Sequence, residues 1–448
     1  MGALDFSPIC PDDSGRRSPA FLLVATIANL QEIEACFGLA GRQEAFERLG
    51  TEMRRLAHGS DLVEHPSAGI IEAVVEGEAG GGAGERESPP GYLIHRLVCH
   101  LTAHPIIGES GSFYPVPEIY LEALEEPSGR RARERVRAFQ QLERGAPAIP
   151  RPWHLSAYHE DMKRAVSLFQ AIERGGAMLV WQAVVSPAYN APILYFEVLL
   201  RVAGDNGELL SCEADIRAIE RVGLAPELDR RVMSHVLDQM EADPDVRMGV
   251  NISAGSASLH RYGPNSGWWE LVSRLEHDPD LARRLVIEIT ETADLVSLED
   301  AREFILLMQS LGCQVAIDDF GAGKGSIIQY AALGADIIKI DGSFVQRAAQ
   351  DDTGHAALCH LVGLGRTLAG AVVVEGVETA SQAELAREAG ADWLQGYYYG
   401  RPSPTRAVGA SADARAILAL RNFQDRVRAH SSMPPGTPWR RVLADRRR

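Results

Sequence analysis

Acidic and amide side chains recur at one kind of place in this chain: inside, or at the end of, short apolar runs. Glu197 sits in ILYFEVLLR (193–201), Asn251 closes MGVN, and Glu288 lies in VIEIT. Asp318 and Asp319 end VAIDD, Lys339 lies in IIKID, Glu375 ends VVVE and Gln395 lies in WLQGY. A carboxylate inside so apolar a run is costly unless it is paired or bound to a cation. Five carboxylates brought to one place stay ionised together only if cations sit among them. The donors are oxygens with one amide and no histidine or cysteine, which selects Mg²⁺, Mn²⁺ or Ca²⁺ over zinc or copper. The adjacent pair Asp318-Asp319 suits two ions about 3.5–4 Å apart with one carboxylate bridging, an arrangement that serves in-line attack of water on phosphorus. Lysine is almost absent: Lys163, Lys324 and Lys339 are the only three, against 42 arginines. Codon bias with leftovers explains a surface lysine; in an apolar run, Lys339 is a point charge able to hold the attacking water or a phosphate oxygen. Any one of these residues alone reads as a structural polar group. Their recurrence in run after run points to a shared site.

The elements that must position them follow from the same runs. Residues 178–185, 193–202, 247–253, 285–290, 314–318, 336–340, 371–376 and 393–398 read as eight strands. Helical periodicity lies between them, for example over 227–240, 298–311, 355–368 and 381–389. Strands alternating with helices imply parallel pairing, and eight of them imply a closed β/α barrel with its site at the C-terminal mouth of the strands. Strand alternation puts Tyr195, Glu197, Leu199 and Arg201 on one face.

The 448 residues are 46% hydrophobic and 24% charged, an ordinary globular balance that accommodates a barrel of about 250 residues, one smaller domain and a tail. The net charge of −16 argues against nucleic-acid binding through a basic surface. Six scattered cysteines without a CxxC pair read as reduced thiols in a cytoplasmic protein. No apolar run approaches the ~18 residues of a membrane span, and the start lacks a signal-peptide core. Residues 1–150 read as a smaller α/β domain, with a buried strand at 21–25, a helix at 43–56, a Gly-rich acidic loop at 76–90 and a charged helix at 130–144. GAPAIP (145–150) is the linker. Residues 151–405 carry the barrel. From 406 to 448 the chain reads as a partly helical, basic tail, either a solvated end or a contact for an acidic partner.

Residues 155–405 closely resemble an EAL domain, the cyclic-di-GMP phosphodiesterase module. The resemblance is carried by EVLLR (197–201), NIS (251–253), EITE (288–291), DDFGAG (318–323), KID (339–341), EGVET (375–379) and QGY (395–397), in the family's order and approximate spacing. It implies an α/β fold: a modified TIM (β/α)8 barrel with one early strand antiparallel. It also implies two Mg²⁺ or Mn²⁺ ions per site, with Ca²⁺ binding and inhibiting. By that resemblance Glu197, Asn251, Glu288 and Asp318 hold one ion, and Asp318, Asp319 and Glu375 serve the other. Lys339 and Gln395 position the nucleophilic water, Glu375 is a candidate base, Gln182, Arg201 and Gln395 meet the substrate, and Glu291 steadies the loop after Asp319. A homodimer through this domain is also implied. Three departures stand out: Val198 where the family has alanine, a loop 321–326 rich in glycine and bearing Lys324, and a segment 202–214 without the usual His-Pro pattern.

More weakly, IANLQEIEACFG (27–38) and the helix after it look like the start of a GGDEF domain. HPSAGII (65–71) stands where its signature would be and lacks the paired acids a cyclase needs, so this block is a degenerate relative with a regulatory or dimerising role, or an unrelated α/β sensor. A protein partner for it or for the tail stays open. Two functional readings follow: metal-dependent hydrolysis of cyclic di-GMP to linear pGpG, or a non-hydrolysing cyclic-di-GMP receptor acting through a protein partner. An unrelated Mg²⁺ barrel enzyme is a third.

Overall fold

The β-branched runs do become strands, and their burial shows why they are so uniformly apolar. In β13 (Ile337–Ile340) and β14 (Ala371–Val374) every residue is buried, as expected where helices and the barrel interior cover both faces of a parallel strand. The computed structural model describes residues 20–57, 62–76, 90–124, 155–188, 192–204, 209–257, 268–290, 298–322, 326–404 and 406. These fall into two compact units. One is drawn from Met1–Gly175, Cys212–Leu228 and His260–Val272, the other from Gly176–Ser211, Asp229–Leu259 and Ser273–Arg448. The expected linker at 145–150, the charged helix at 130–144 and most of the basic tail lie outside the described residues, as do residues 77–89 of the Gly-rich loop expected at 76–90.

In the first unit β1 (Ala20–Ile27), β2 (Leu62–His65), β3 (Ile70–Glu76) and β6 (Pro117–Ala123) form an antiparallel sheet in the order β2-β3-β1-β6. Helices Leu30–Leu56 and Pro90–Thr102 connect them, and a small hairpin of β4 (Ile106–Gly108) and β5 (Gly111–Phe113) is added. This is the alternation and order of the β-α-β-β-α-β motif. The helix expected at 43–56 is the second part of the longer one, which is interrupted at Gly38. The turn between β2 and β3 is Pro66-Ser67-Ala68-Gly69, fastened by Thr26 Oγ1 donating to the Gly69 carbonyl.

In the second unit eight strands close on themselves. They are β7 (Ala177–Val185), β8 (Ile193–Ala203), β10 (Met248–Ile252), β11 (Leu285–Thr290), β12 (Gln314–Phe320), β13, β14 and β15 (Trp393–Leu394). Pairing is parallel from β8 through β10 to β15, whereas β7 runs antiparallel to both β8 and β15. β9 (Leu209–Ser211), which the sequence did not announce, extends β8 as a hairpin with Arg201 opposite Ser211. The expected strands at 371–376 and 393–398 are shorter than their apolar runs. At each the ladder continues by one bond after the strand stops: Glu375 N donates to Ile340 O at 3.1 Å, and Gln395 N to Val374 O at 2.9 Å. Val184, Leu194, Tyr195, Val286, Ala316, Ile337, Ala371, Val373 and Trp393 form one buried cluster in this unit.

Helices start close behind the polar residues because their caps are in the sequence. Asp341 caps Gly342–Ala348, and Thr379 forms a capping box with Gln382 at Ala380–Glu388. After β10 the chain is pinned by buried Asp229, whose Oδ2 accepts from Ser253 N (2.8 Å), Ser253 Oγ (2.8 Å) and Ser256 Oγ (2.7 Å). Asp229→Ala leaves these donors without their acceptor inside the protein. We expect a stability loss of at least about 2 kcal/mol, read as a lowered urea midpoint; an unchanged midpoint would show that the turn does not depend on this carboxylate.

Candidate metal centre

Strand pairing sets several of the polar residues beside one another. Gln182 on β7 pairs with Glu197 on β8; Asn251 on β10 pairs with Glu288 on β11; Thr290, two residues beyond Glu288, pairs with Asp318 on β12. Lys339 on β13 stands two strands from Gln395 at the end of β15, and Glu375 follows β14. Elsewhere the ladder is staggered: Glu197 lies opposite Gly249 and Glu288 opposite Ala316, each two residues short of the next polar residue on the neighbouring strand.

The centre of the group is the Lys339 ammonium, which has no exposed surface. Its Nζ lies 2.7 Å from Glu375 Oε1, 3.2 Å from Asp318 Oδ1 and 3.4 Å from Glu197 Oε2, and it also donates to Glu288 Oε2. Glu197 accepts further bonds from Asn251 Nδ2 (2.8 Å) and from Gln395 Nε2, which also reaches Gln182 Oε1 at 3.4 Å. Gln182 in turn donates to the Gly400 carbonyl at 3.1 Å.

Glu197, Glu288 and Asp318 can each offer an oxygen within 4.8 Å of the others, and so can Asp318, Asp319 and Glu375, with Asp318 shared between the two groups. Asp319 is the only non-glycine residue with positive φ among the described residues, at 53°. Aspartate tolerates that region better than most residues, and such strain concentrates at functional positions. The turn of the chain there also breaks the β12–β13 register between Ile317 and Phe320, so that two successive carboxylates can serve one place.

The electrostatics are unbalanced. Burial pushes the Glu288 carboxyl up to about 8, against the pull of Lys339 and with the push of Glu197 and Asp318. Burial and Asp318 push Asp319 up to about 6, with Asp341 adding to the effect. Burial raises Asp318, and raises Glu375 well above the carboxylate range. Glu197 is the exception. Burial pushes it up too, but Lys339, Gln395 and Asn251 together hold it below the ordinary value. Lys339 is raised well above its ordinary value: burial lowers it, but the surrounding carboxylates outweigh that.

One ammonium cannot neutralise five carboxylates. Two buried oxygens, Glu288 Oε1 and Asn251 Oδ1, also have no hydrogen-bond partner. An all-oxygen donor set, two carboxylate groups sharing Asp318, orphaned acceptors and excess negative charge together fit hard divalent cations such as Mg²⁺, Mn²⁺ or Ca²⁺.

Not every residue singled out joins the cluster. Arg201 shares the strand face of Glu197, but its guanidinium donates to the Leu200 carbonyl at 2.9 Å. Glu291 and residues 323–325, with Lys324, lie outside the described residues. Three participants had gone unremarked as site residues. Tyr195 is buried among the same groups. Asp341, which caps a helix, bears on Asp319. Gly249 has the cluster directly above it: a Cβ there would lie 2.2 Å from Glu288 Oε1. A lone glycine inside the run MGVN was the available signal, since such a glycine marks close approach.

Comparison with known proteins finds its matches over the part of the chain that carries the barrel. A family model described as EAL domain matches residues 165–402, just over half of the chain. The chain is 32% identical over 244 residues to the cyclic di-GMP phosphodiesterase PdeF of Escherichia coli, covering 53% of this chain and 31% of that protein. It is 30% identical over 257 residues to the bifunctional diguanylate cyclase/cyclic di-GMP phosphodiesterase MucR of Pseudomonas aeruginosa, covering 56% of this chain and 37% of that protein. The chain thus spans about a third of the length of these curated relatives. Among solved structures, the PaMucR phosphodiesterase in its c-di-GMP complex is 30% identical with a TM-score of 0.45, covering 54% of this chain and 98% of that one.

The raised carboxyls give a pH dependence of definite sign. Without metal, the folded state keeps protons on Glu288 and Asp319 that the unfolded chain releases near pH 4. Stability therefore falls as pH rises toward about 6 for Asp319 and about 8 for Glu288. In EDTA the melting temperature should be lower at pH 8 than at pH 6, and Glu288→Gln should flatten the slope. A flat profile in the unsubstituted protein would contradict this charge balance.

Proposed function

The chain belongs to the EAL domain family, and from that premise we propose that it is a phosphodiesterase that opens cyclic di-GMP to linear pGpG. The observation that carries the reading is the completeness of the acidic cluster around Lys339: all five carboxylates, Asn251 and Gln395 are present, and four of the carboxylates contact its ammonium. Glu197, Asn251, Glu288 and Asp318 would hold one divalent ion, and Asp318, Asp319 and Glu375 a second, as Mg²⁺ or Mn²⁺, with Ca²⁺ able to compete. Bound there, such ions neutralise charge developing on phosphate oxygens and ease deprotonation of water.

The chain's own residues do the rest. Lys339, held rigidly by its carboxylate partners, donates to the attacking water or a phosphoryl oxygen. Glu375, whose Oε1 lies 2.7 Å from Lys339 Nζ, accepts the water's proton. Water adds to phosphorus as the ester bond to the leaving ribose oxygen breaks, giving a linear product with a terminal phosphate. Gln395, oriented by Glu197 and Gln182, fixes the water or substrate, and Gln182 and Arg201 line the substrate side. For Arg201 this requires release of the Leu200 carbonyl.

The first unit is read as a degenerate GGDEF relative with a regulatory role. Its β2–β3 turn, Pro66-Ser67-Ala68-Gly69, offers no acid for a metal. Cys36, Cys313 and Cys359 are free thiols, in keeping with work in the cytoplasm. Among the described residues no helix is long and apolar enough to cross a membrane.

We place homodimerisation on the barrel unit, where neighbouring Ile327 and Ile328 are 55% and 80% exposed. Sedimentation equilibrium should find a dimer that Ile328→Glu converts to monomer; a dimer unaffected by the substitution would move the interface elsewhere.

The activity is tested by incubating the protein with cyclic di-GMP and Mn²⁺ and chromatographing the products. Linear pGpG is expected, and Glu197→Ala should reduce turnover by about 100-fold or more. Tight binding of cyclic di-GMP without product would replace the enzyme reading with that of a receptor.

A further inference from the structure

We propose that Tyr195 is a positioning residue for Glu288: its ring fills the space that Gly249 leaves open on β10 and so fixes where the carboxylate stands in the cluster. The inference rests on the metal reading of that cluster.

Three strands bring the parts together. Tyr195 lies on β8 two residues before Glu197, and so on the same face. Glu197 is paired with Gly249 on β10, and Asn251, two residues on, is paired with Glu288 on β11. A Cβ on Gly249 would lie 2.2 Å from Glu288 Oε1 and 2.5 and 2.8 Å from Tyr195 Cε2 and Cδ2. The carboxylate oxygen and the ring edge therefore occupy together the volume that any other residue at 249 would claim. Tyr195 and Glu288 both have 0% exposure.

Within that enclosure Glu288 is held from two sides. Oε2 accepts from Lys339, while Oε1 has no donor and is confined only by shape. Remove the ring, and a cavity opens beside a carboxylate that the neighbouring carboxylates repel. The Glu288 side chain is then free to turn away from Glu197 and Asp318. The Tyr195 hydroxyl, also buried, has no partner among the described residues. The role accordingly belongs to the ring rather than to the hydroxyl.

The test uses the full chain and Mn²⁺ alone, with affinity read by titration calorimetry and by the electron paramagnetic resonance of free Mn²⁺. Tyr195→Phe should keep Mn²⁺ affinity within about twofold. Tyr195→Ala should weaken it by about tenfold or more, the scale on which removing a residue that orients a metal ligand acts. Gly249→Ala, which contests the place of Glu288 from the other strand, should weaken it in the same way. Thermal melting checks that each variant is folded; if Tyr195→Ala is not, Tyr195→Leu takes its place and should lose several-fold. Folded alanine variants that bind Mn²⁺ like the unsubstituted protein would overturn the proposal, as would a Tyr195→Phe loss as large as that of Tyr195→Ala. Turnover of cyclic di-GMP by the unsubstituted protein, measured alongside, separates the two ideas. Turnover with unchanged Mn²⁺ affinity in the variants sinks the role of Tyr195 alone, whereas absent turnover with weakened Mn²⁺ binding sinks the phosphodiesterase reading alone.

Discussion

A single buried ammonium among five carboxylates is the constraint on which the second unit depends. At the low effective dielectric of a barrel interior, like charges a few ångströms apart cannot all remain ionised around one cation. The protein responds in three ways. Lys339 contacts four of the five carboxylates directly. The amides of Asn251 and Gln395 donate to Glu197, which alone among the five is pulled below its ordinary proton affinity. The remaining acids have their proton affinities raised by burial. A divalent cation bound among them would compete with protons for the same oxygens.

The barrel makes such a concentration of charge tolerable. Parallel strands with both faces covered provide a rigid wall, and burial of every residue of β13 and β14 fixes the polar side chains they carry or lead into. The antiparallel β7 matters for the same reason. It lets Gln182 stand directly opposite Glu197 and hand on its orientation to Gln395 on the far side of the closure. Close approach is secured where side chains would obstruct it. The loop bearing Glu375 meets the start of the helix capped by Asp341 through Gly376 and Gly342, where a Cβ on Gly376 would lie 2.7 Å from Gly342 Cα.

The first unit shows the opposite economy. Its sheet has the connectivity of a β-α-β-β-α-β motif, yet the turn between its central hairpin strands carries only proline, serine, alanine and glycine.

Much was legible in the sequence, for a definable reason. Period, apolar run length and the position of a lone polar residue in a strand are local properties. Eight strands, most helices and the whole acidic set with Lys339 could therefore be read from runs such as VIEIT and IIKID. Helix starts behind Asp341 and Thr379 were likewise local, because caps are short-range. What the sequence left undecided depends on register between segments far apart in the chain. Only the folded barrel decides that Arg201 turns to its own backbone, or that β9 extends β8. Gly249 shows the boundary most clearly. The sequence marks it as a place without a side chain, but only the packing of β8 and β11 around β10 reveals that Tyr195 and Glu288 occupy the volume it leaves.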